Sequence, residues 1–335
     1  MAGIRSGTTV PVIDLAEFVT RGEASEATVT AIQQACESVG FFQVVGHGID
    51  PALFQGVIST MEALVALPEE VLATLGSPTG HPFRGVNTNR SATGDVFVHR
   101  LQVNRFDDPA HAVEAGVPAN YADYFHPNVW PDHVDALRET WESFFGATRT
   151  LGRQIMVLFG LALGLPVDHF DAPLALDVST MSANYYPAQE TLSTADEPKV
   201  ILGEHEDSGV LTVLVQSGDY TGLQLKTLDG SWIDVPVVEN SFVINIGDLM
   251  ARWTNGKWKS TTHRVIAAYE PGQSRISVPT FYLPAIDTVI EPLPSCVGPE
   301  GPLYGPITPY EWEAEYFRKP NESAELGAYP NRVNL

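Results

Sequence analysis

The chain is poor in sulfur and in positive charge, and it has no long apolar run. Cysteine occurs twice in 335 residues, at Cys36 and Cys296. These two thiols form neither a CxxC pair nor a framework, which excludes a small disulfide-stapled fold and a cysteine-rich zinc module. Independent, reduced thiols point to the cytoplasm. Lys and Arg number 19 against 41 Asp and Glu, a net charge of −22. Phosphate backbones must be neutralised by cations, so nucleic acid is not an expected partner, and anionic membrane surfaces are disfavoured for the same reason. The opening residues MAGIRSGTTVPVIDL lack the apolar centre of a secretory leader. No stretch approaches the roughly 18 apolar residues of a membrane span. The longest candidate, QIMVLFGLALGLP, is interrupted at Gly160 and Gly164, ends at Pro166 and reads as a buried helix end. There is no HExxH, no repeat and no low-complexity segment. The expected partner is a small molecule, and the expected state is a monomer.

What is present describes a globular protein: 44% hydrophobic and 18% charged residues. One domain over 1–335 is expected. It divides into an N-terminal helical and loop region over 1–175, a core over 176–290 and a C-terminal extension with a helix over 291–335. VPVIDL and FFQVVGHG read as strands. SEATVTAIQQACESV has helical spacing at Val29, Ile32, Ala35, Cys36 and Val39. Asp50 followed by Pro51 is a strong helix start, and a further helix follows Pro68. Residues 76–131, rich in Gly, Pro, Asn and Asp, read as a long functional loop region. The longest helix begins near Pro131 and turns Leu137, Trp141, Phe144, Phe145, Leu151 and Ile155 to one side. The period then changes. Eight short strands are expected between Val178 and Leu283: STMSANYY, VILGEH, VLTVLVQ, GLQLKTL, SWIDVPV, FVINIG, STTHRVIAA and RISVPTFYL. Even spacing with turn signals between them suggests two facing antiparallel sheets, a jelly roll. A last helix is expected near PYEWEAEYFRK.

The stretch GEHEDSG (203–209) places His205, Glu206 and Asp207 in a row. On a strand, positions i and i+2 share a face, so His205 and Asp207 point together and Glu206 points away. His263, in the alternating segment STTHRVIAA, is the best third ligand; His47, His81 and His169 are not expected to bind metal. Two imidazoles and one carboxylate leave positions open and suit non-haem Fe(II). By itself the motif is weak, and an exposed polar turn is the commoner reading of it. Past His263, SRIS puts Arg275 and Ser277 on one face. A guanidinium facing into a barrel beside a metal requires an anion, either a bound carboxylate or an acidic side chain.

Taken together, HxD, a later His and then RxS resemble the Fe(II)- and 2-oxoglutarate-dependent oxygenases of the isopenicillin N synthase-like group. VPVIDL, ACESVGFFQVVGHGI and ALPEE are similar to that group's N-terminal region, and NYYP, GLQL, INIGD and NGKWKSTTHRV to its catalytic core, so the likeness covers nearly the whole chain. One departure is visible: Gly46 stands where Asn usually precedes His-Gly. The resemblance implies a mainly β fold with flanking helices and a double-stranded β-helix (jelly-roll, cupin-like) core. It implies Fe(II), 2-oxoglutarate and O₂ as cofactors. It also implies that Asn184 and Tyr186 join Arg275 and Ser277 in holding the co-substrate. The reaction would be hydroxylation, desaturation or ring closure of a moderately hydrophobic, natural-product-type molecule, with release of succinate and CO₂. Phe83, Phe97, Leu101 and Phe281 are the expected apolar wall of the substrate site, with Arg84 and His99 orienting a polar or anionic end. An oxidase that uses Fe(II) and O₂ without oxoglutarate is an alternative, towards which HEDSGVLTVLVQSG and NVWPD lean. NYYP leans the other way, as does the closing NRVNL, which lacks a near-terminal Gln. A non-catalytic metal- or oxoglutarate-binding sensor is the second alternative.

Overall fold

The computed structural model describes residues 9–90, 94–189, 192–194, 196–218, 220–227 and 229–318. The closing NRVNL, and Lys319 of the expected last helix, lie outside the described residues. Twelve strands are present among them: β1 (Val12–Asp14), β2 (Phe41–Val45), β3 (Gly85–Arg90), β4 (Val96–Asn104), β5 (Thr180–Tyr186), β6 (Val200–His205), β7 (Leu211–Gly218), β8 (Leu223–Lys226), β9 (Trp232–Asp234), β10 (Phe242–Ile246), β11 (His263–Ile266) and β12 (Arg275–Tyr282). They form an eight-stranded sheet in the order β1-β2-β10-β7-β12-β5-β4-β3 and a four-stranded sheet in the order β6-β11-β8-β9. All eight strands expected after Val178 are present. Their two faces close on each other as a jelly roll, and helices flank the larger sheet.

Helix starts follow local chemistry. The Ser25 hydroxyl accepts the Thr28 amide and opens the helix Glu26–Ser38; the Asp50 carboxylate accepts the Ala52 amide ahead of Pro51 and opens Pro51–Val65. The helix Leu137–Ala162 buries Trp141, Phe144, Phe145, Leu151 and Ile155 against the outer face of the larger sheet. Full burial of each such side chain is worth about 1.5–3 kcal/mol. That face is tied down by a hydroxyl contact of 2.8 Å between Thr148 and Thr280 of β12. A second, smaller core lies between the sheets, where Phe41, Leu202, Leu214, Leu223, Val243 and Val265 meet.

Residues 76–131 are not one long loop. They contain β3 and β4, a helical turn over Pro109–Glu114 and a 3-10 turn over Ala119–Tyr124. β4 pairs with β5 in the register Arg100↔Asn184 and Gln102↔Ser182, and so extends the larger sheet. Sequence pattern hides it because Arg100, Gln102 and Asn104 put polar side chains on one face of a buried strand. The departure at Gly46 also has a local cause. Its φ is +65°, and a Cβ there would collide with the Asp14 carboxylate. Gly adopts the left-handed region without a Cβ, so the close approach of Asp14 and Ala16 is what calls for it here, away from the metal trio. No helix among the described residues is long and apolar enough to cross a membrane.

Candidate metal and co-substrate site

His205 closes β6 and His263 opens β11, opposite each other in the antiparallel ladder. Asp207 lies just past the end of β6, in the turn leading to β7, rather than within a strand. The i, i+2 relation therefore holds through the turn and not through strand alternation. All three residues are buried, and their ligand atoms lie within 4.8 Å of one another. Asp207 Oδ1 is 3.9 Å from His205 Nε2 and 3.8 Å from His263 Nε2. The Nδ1 of His205 meets the Gly203 carbonyl at 2.8 Å, and that of His263 meets the Thr261 carbonyl at 3.1 Å. A carbonyl only accepts, so each Nδ1 carries the proton and each Nε2 turns a lone pair to the shared space. Asp207 Oδ2 accepts hydrogen bonds from Thr212 Oγ1 and from Asn245 Nδ2 (2.8 Å), leaving Oδ1 towards the imidazoles.

The electrostatics agree with this arrangement. Burial, with His263 beside it, pushes His205 down to about 3, so its imidazole is neutral. Burial alone would raise the Asp207 carboxyl, but the two imidazoles and the bonds from Thr212 and Asn245 hold it below the usual carboxylate range. Glu206 faces elsewhere: its carboxylate accepts from Thr262 Oγ1 at 3.0 Å. Two imidazole nitrogens and one carboxylate, with no sulfur, form a donor set fitted to non-haem iron.

Behind this trio lies a small inner cavity of about 50 Å³ bounded by Asn184, Tyr186, Arg275 and Ser277 together with Arg100 and Thr212. Arg275 is 1% exposed. Its Nη2 donates to Gln216 Oε1 at 3.0 Å and its guanidinium lies 5.3 Å from the Tyr186 ring centre. Its Nε and Nη1 have no hydrogen-bond partner. Among the described residues no carboxylate pairs with it, so the acidic-partner reading of Arg275 is not what the structure contains. A buried guanidinium with two idle N–H groups is costly unless an anion arrives. A dicarboxylate carries acceptors of the kind that those groups require.

A larger cavity of about 190 Å³ opens on the other side of Asp207, sharing Asp207 and Phe281 with the inner one. Phe83, Arg84 and Phe281 line it. Phe97, His99 and Leu101 do not, which corrects the expected substrate wall. Phe97 packs into the core between the sheets, Leu101 into the core under the helices, and His99 faces an outer groove where Thr88 meets its Nδ1 at 3.0 Å. For His99 and Leu101 the cause is strand phase: the neighbours Arg100 and Gln102 take the site side of β4, and a shift of one residue exchanges faces. Sequence reasoning misses further lining residues. Tyr124, His126, Ser208, Glu313 and Tyr316 surround the larger cavity, the last two from the helix Pro309–Arg318. That helix grips the metal turn from outside: Tyr316 Oη donates to the Glu206 carbonyl at 2.9 Å, Trp312 Nε1 donates to the Ser208 carbonyl at 3.2 Å, and Ser208 Oγ donates to Glu313. Its amphipathic spacing is the only sequence signal for this role. His47 and His169 lie away from the trio, and His81 lines the larger cavity.

Comparison with known proteins agrees with this geometry. The model of the 2OG-Fe(II) oxygenase superfamily matches residues 178–284, and the model described as non-haem dioxygenase in morphine synthesis N-terminal matches residues 10–133. The 2-oxoglutarate-Fe(II) type oxidoreductase hxnY of Emericella nidulans is 32% identical, over 90% of this chain and 87% of that protein. Validamycin A dioxygenase of Streptomyces hygroscopicus subsp. limoneus is 28% identical, over 86% of this chain and 80% of that protein. Among solved structures, a full-length Neurospora crassa protein in complex with alpha-KG and 5-formyluracil matches with a TM-score of 0.78 at 27% identity, covering 94% of this chain and 97% of that chain. JOX2 in complex with 2OG, Fe and JA matches with a TM-score of 0.74 at 26% identity, covering 94% of this chain and 87% of that chain.

Proposed function

The chain belongs to the 2OG-Fe(II) oxygenase superfamily, and from that premise we propose that His205, Asp207 and His263 hold its iron, that Arg275 and its neighbours hold 2-oxoglutarate, and that a small molecule with an anionic end is oxidised in the cavity beside them. The enzyme is a 2-oxoglutarate- and Fe(II)-dependent oxidoreductase acting on a small substrate. The observation that carries the residue assignment is Arg275, buried with Nε and Nη1 idle a short way from three converging ligand atoms. Iron with oxoglutarate and O₂ supplies the oxidising power, at the expense of oxoglutarate, which becomes succinate and CO₂.

The chain's own residues bind, orient and exclude water. Arg275 presents a guanidinium fork to a carboxylate, with Ser277 two residues along the same strand face. Asn184 Oδ1 already accepts from Arg100 Nε at 2.7 Å, which leaves the Asn184 amide N–H₂ to donate to the co-substrate. Thr212 and Asn245 fix the Asp207 carboxylate. Arg84, 3% exposed, orients the acidic end of the substrate against the wall made by Phe83 and Phe281. No general base is required of the protein. The net charge of −22 supports a small-molecule substrate over nucleic acid, and two free cysteines support a reducing, cytoplasmic setting.

The test is oxoglutarate consumption and succinate release by iron-loaded protein, with and without candidate substrates. Oxidation of a substrate with no oxoglutarate present would transfer the reading to the oxidase alternative. Binding of oxoglutarate without any turnover across a broad panel would favour a sensor.

A further inference from the structure

We infer that the substrate is a monocyclic organic acid bearing a hydrogen-bonding group on its ring, and that Gln102 reads that group. This rests on the oxygenase reading above and narrows it.

Size comes first. The cavity beside Asp207 is about 190 Å³. An enclosed apolar cavity of about 150 Å³ holds one benzene, so one six-membered ring with a substituent fits here, and a fused polycycle would project through the open mouth. Phe83, Phe281 and Leu283 supply apolar walls for such a ring. Charge comes next. Arg84 is 3% exposed; its Nη1 donates to the Phe83 carbonyl at 2.7 Å, and its Nε has no partner. His81, tilted against His126 with ring centres 4.3 Å apart, is held neutral by burial and by the Arg84 charge beside it, at about 4. The positive pole of the cavity is therefore Arg84; the Glu313 carboxylate also lines the cavity and its charge reaches Arg84, but no hydrogen bond joins the two, and the guanidinium suits a ligand carboxylate.

Gln102 supplies the discrimination. It is 6% exposed, lines this cavity from β4, and its side-chain amide makes no hydrogen bond among the described residues; Oε1 is buried without a partner. A ligand that fills this cavity displaces its water, and the amide is then paired only if that ligand carries a hydroxyl, lactam or ring N–H. A ligand lacking that group leaves the amide buried and unpaired, which is the strongest form of rejection open to a small pocket.

The experiment is anaerobic calorimetry of the enzyme loaded with Fe(II) and oxoglutarate. The probes are benzoate, 4-hydroxybenzoate, cyclohexanecarboxylate, 6-oxopiperidine-2-carboxylate and anthracene-9-carboxylate. Substrate-independent oxoglutarate consumption is measured in parallel. At least one of the two hydrogen-bonding acids should bind roughly 10- to 100-fold tighter than its unsubstituted ring counterpart, and the tricyclic acid should bind more weakly than benzoate. Gln102→Met should make the paired acids bind alike. Gln102→Glu, which keeps the shape and adds a negative charge, should weaken every acid. Arg84→Met should weaken every acid as well. If the hydrogen-bonding acids bind no better than benzoate and cyclohexanecarboxylate, or if the preference survives in Gln102→Met, the proposal is overturned. Should no monocyclic acid bind while oxoglutarate is still consumed, the substrate class is wrong and the oxygenase reading stands. If oxoglutarate consumption is absent too, both fall together.

Discussion

Glu206 and Asp207 are adjacent carboxylates with opposite surroundings. Asp207 is 6% exposed, faces two imidazole Nε2 atoms, and has one oxygen tied by Thr212 and Asn245. Glu206 bonds Thr262 on the other side of the turn. Asp207→Ala should therefore lose iron, because no other acid among the described residues reaches the imidazole pair. Glu206→Gln should retain iron and most turnover, since an amide oxygen still accepts from Thr262. Iron stoichiometry and oxoglutarate decarboxylation on both variants decide it; the reverse pattern would overturn the ligand assignment. Arg275 makes a different prediction. In the proposed function its idle N–H groups hold the co-substrate, and charge-assisted hydrogen bonds are worth about 1.5–3 kcal/mol. Arg275→Ala should raise the KM for oxoglutarate by roughly 10²-fold while iron still binds. An unchanged KM would mean that the guanidinium serves another anion.

At the scale of elements, the turn after β6 is held by backbone as well as side chains. The helix Asp248–Trp253 starts against it: the Asp248 amide donates to the Asp207 carbonyl at 2.8 Å and the Leu249 amide to the Gly209 carbonyl at 3.0 Å. Gly247 makes that approach possible. A Cβ there would collide with the Gly209 carbonyl oxygen and lie 3.0 Å from that of Asp207. Gly247→Ala must push the helix start off the turn, so it should cost about 1–3 kcal/mol of stability and weaken iron binding. A melting temperature and iron affinity equal to the parent's would refute the account. The same elements show what sequence can and cannot reveal. His205, Asp207 and His263 stand out because few side chains bind metal and their spacing is short or set by one strand. Arg275 stands out as a cation inside a β-branched run. β4 is harder. HRLQVN alternates cleanly, but its apolar phase reads as a substrate wall. In the fold that phase belongs to the core under the helices, and the polar phase, Arg100 and Gln102, faces the chemistry. A polar row on a buried strand reads as loop until its partner strand is known. The grip of Trp312 and Tyr316 on residues 206 and 208 joins segments far apart in sequence; amphipathic spacing marks the buried face of that helix but not its partner.

At the scale of the whole molecule, the site joins two sheets that otherwise meet through a small apolar core. His205 and His263 belong to the four-stranded sheet, with Asp207 in the turn that leaves it; Asn184, Tyr186, Arg275 and Ser277 belong to the eight-stranded sheet. Iron bound by the trio alone engages one side. Oxoglutarate that also engages Arg275 engages both, and a ligand that binds only the folded state stabilises it by mass action, about 2.7 kcal/mol at a hundredfold excess over Kd. Thermal unfolding under anaerobic conditions should therefore rise in two steps, with Fe(II) and again when oxoglutarate is added. Arg275→Met should keep the first increment and lose most of the second, because the long apolar side chain fills the buried space but offers no N–H to a carboxylate. Chelation of the metal should remove both increments in the parent protein. If oxoglutarate raises the melting temperature of Arg275→Met as much as that of the parent, the co-substrate is held by one sheet only, and the placement of its distal carboxylate against β12 is wrong.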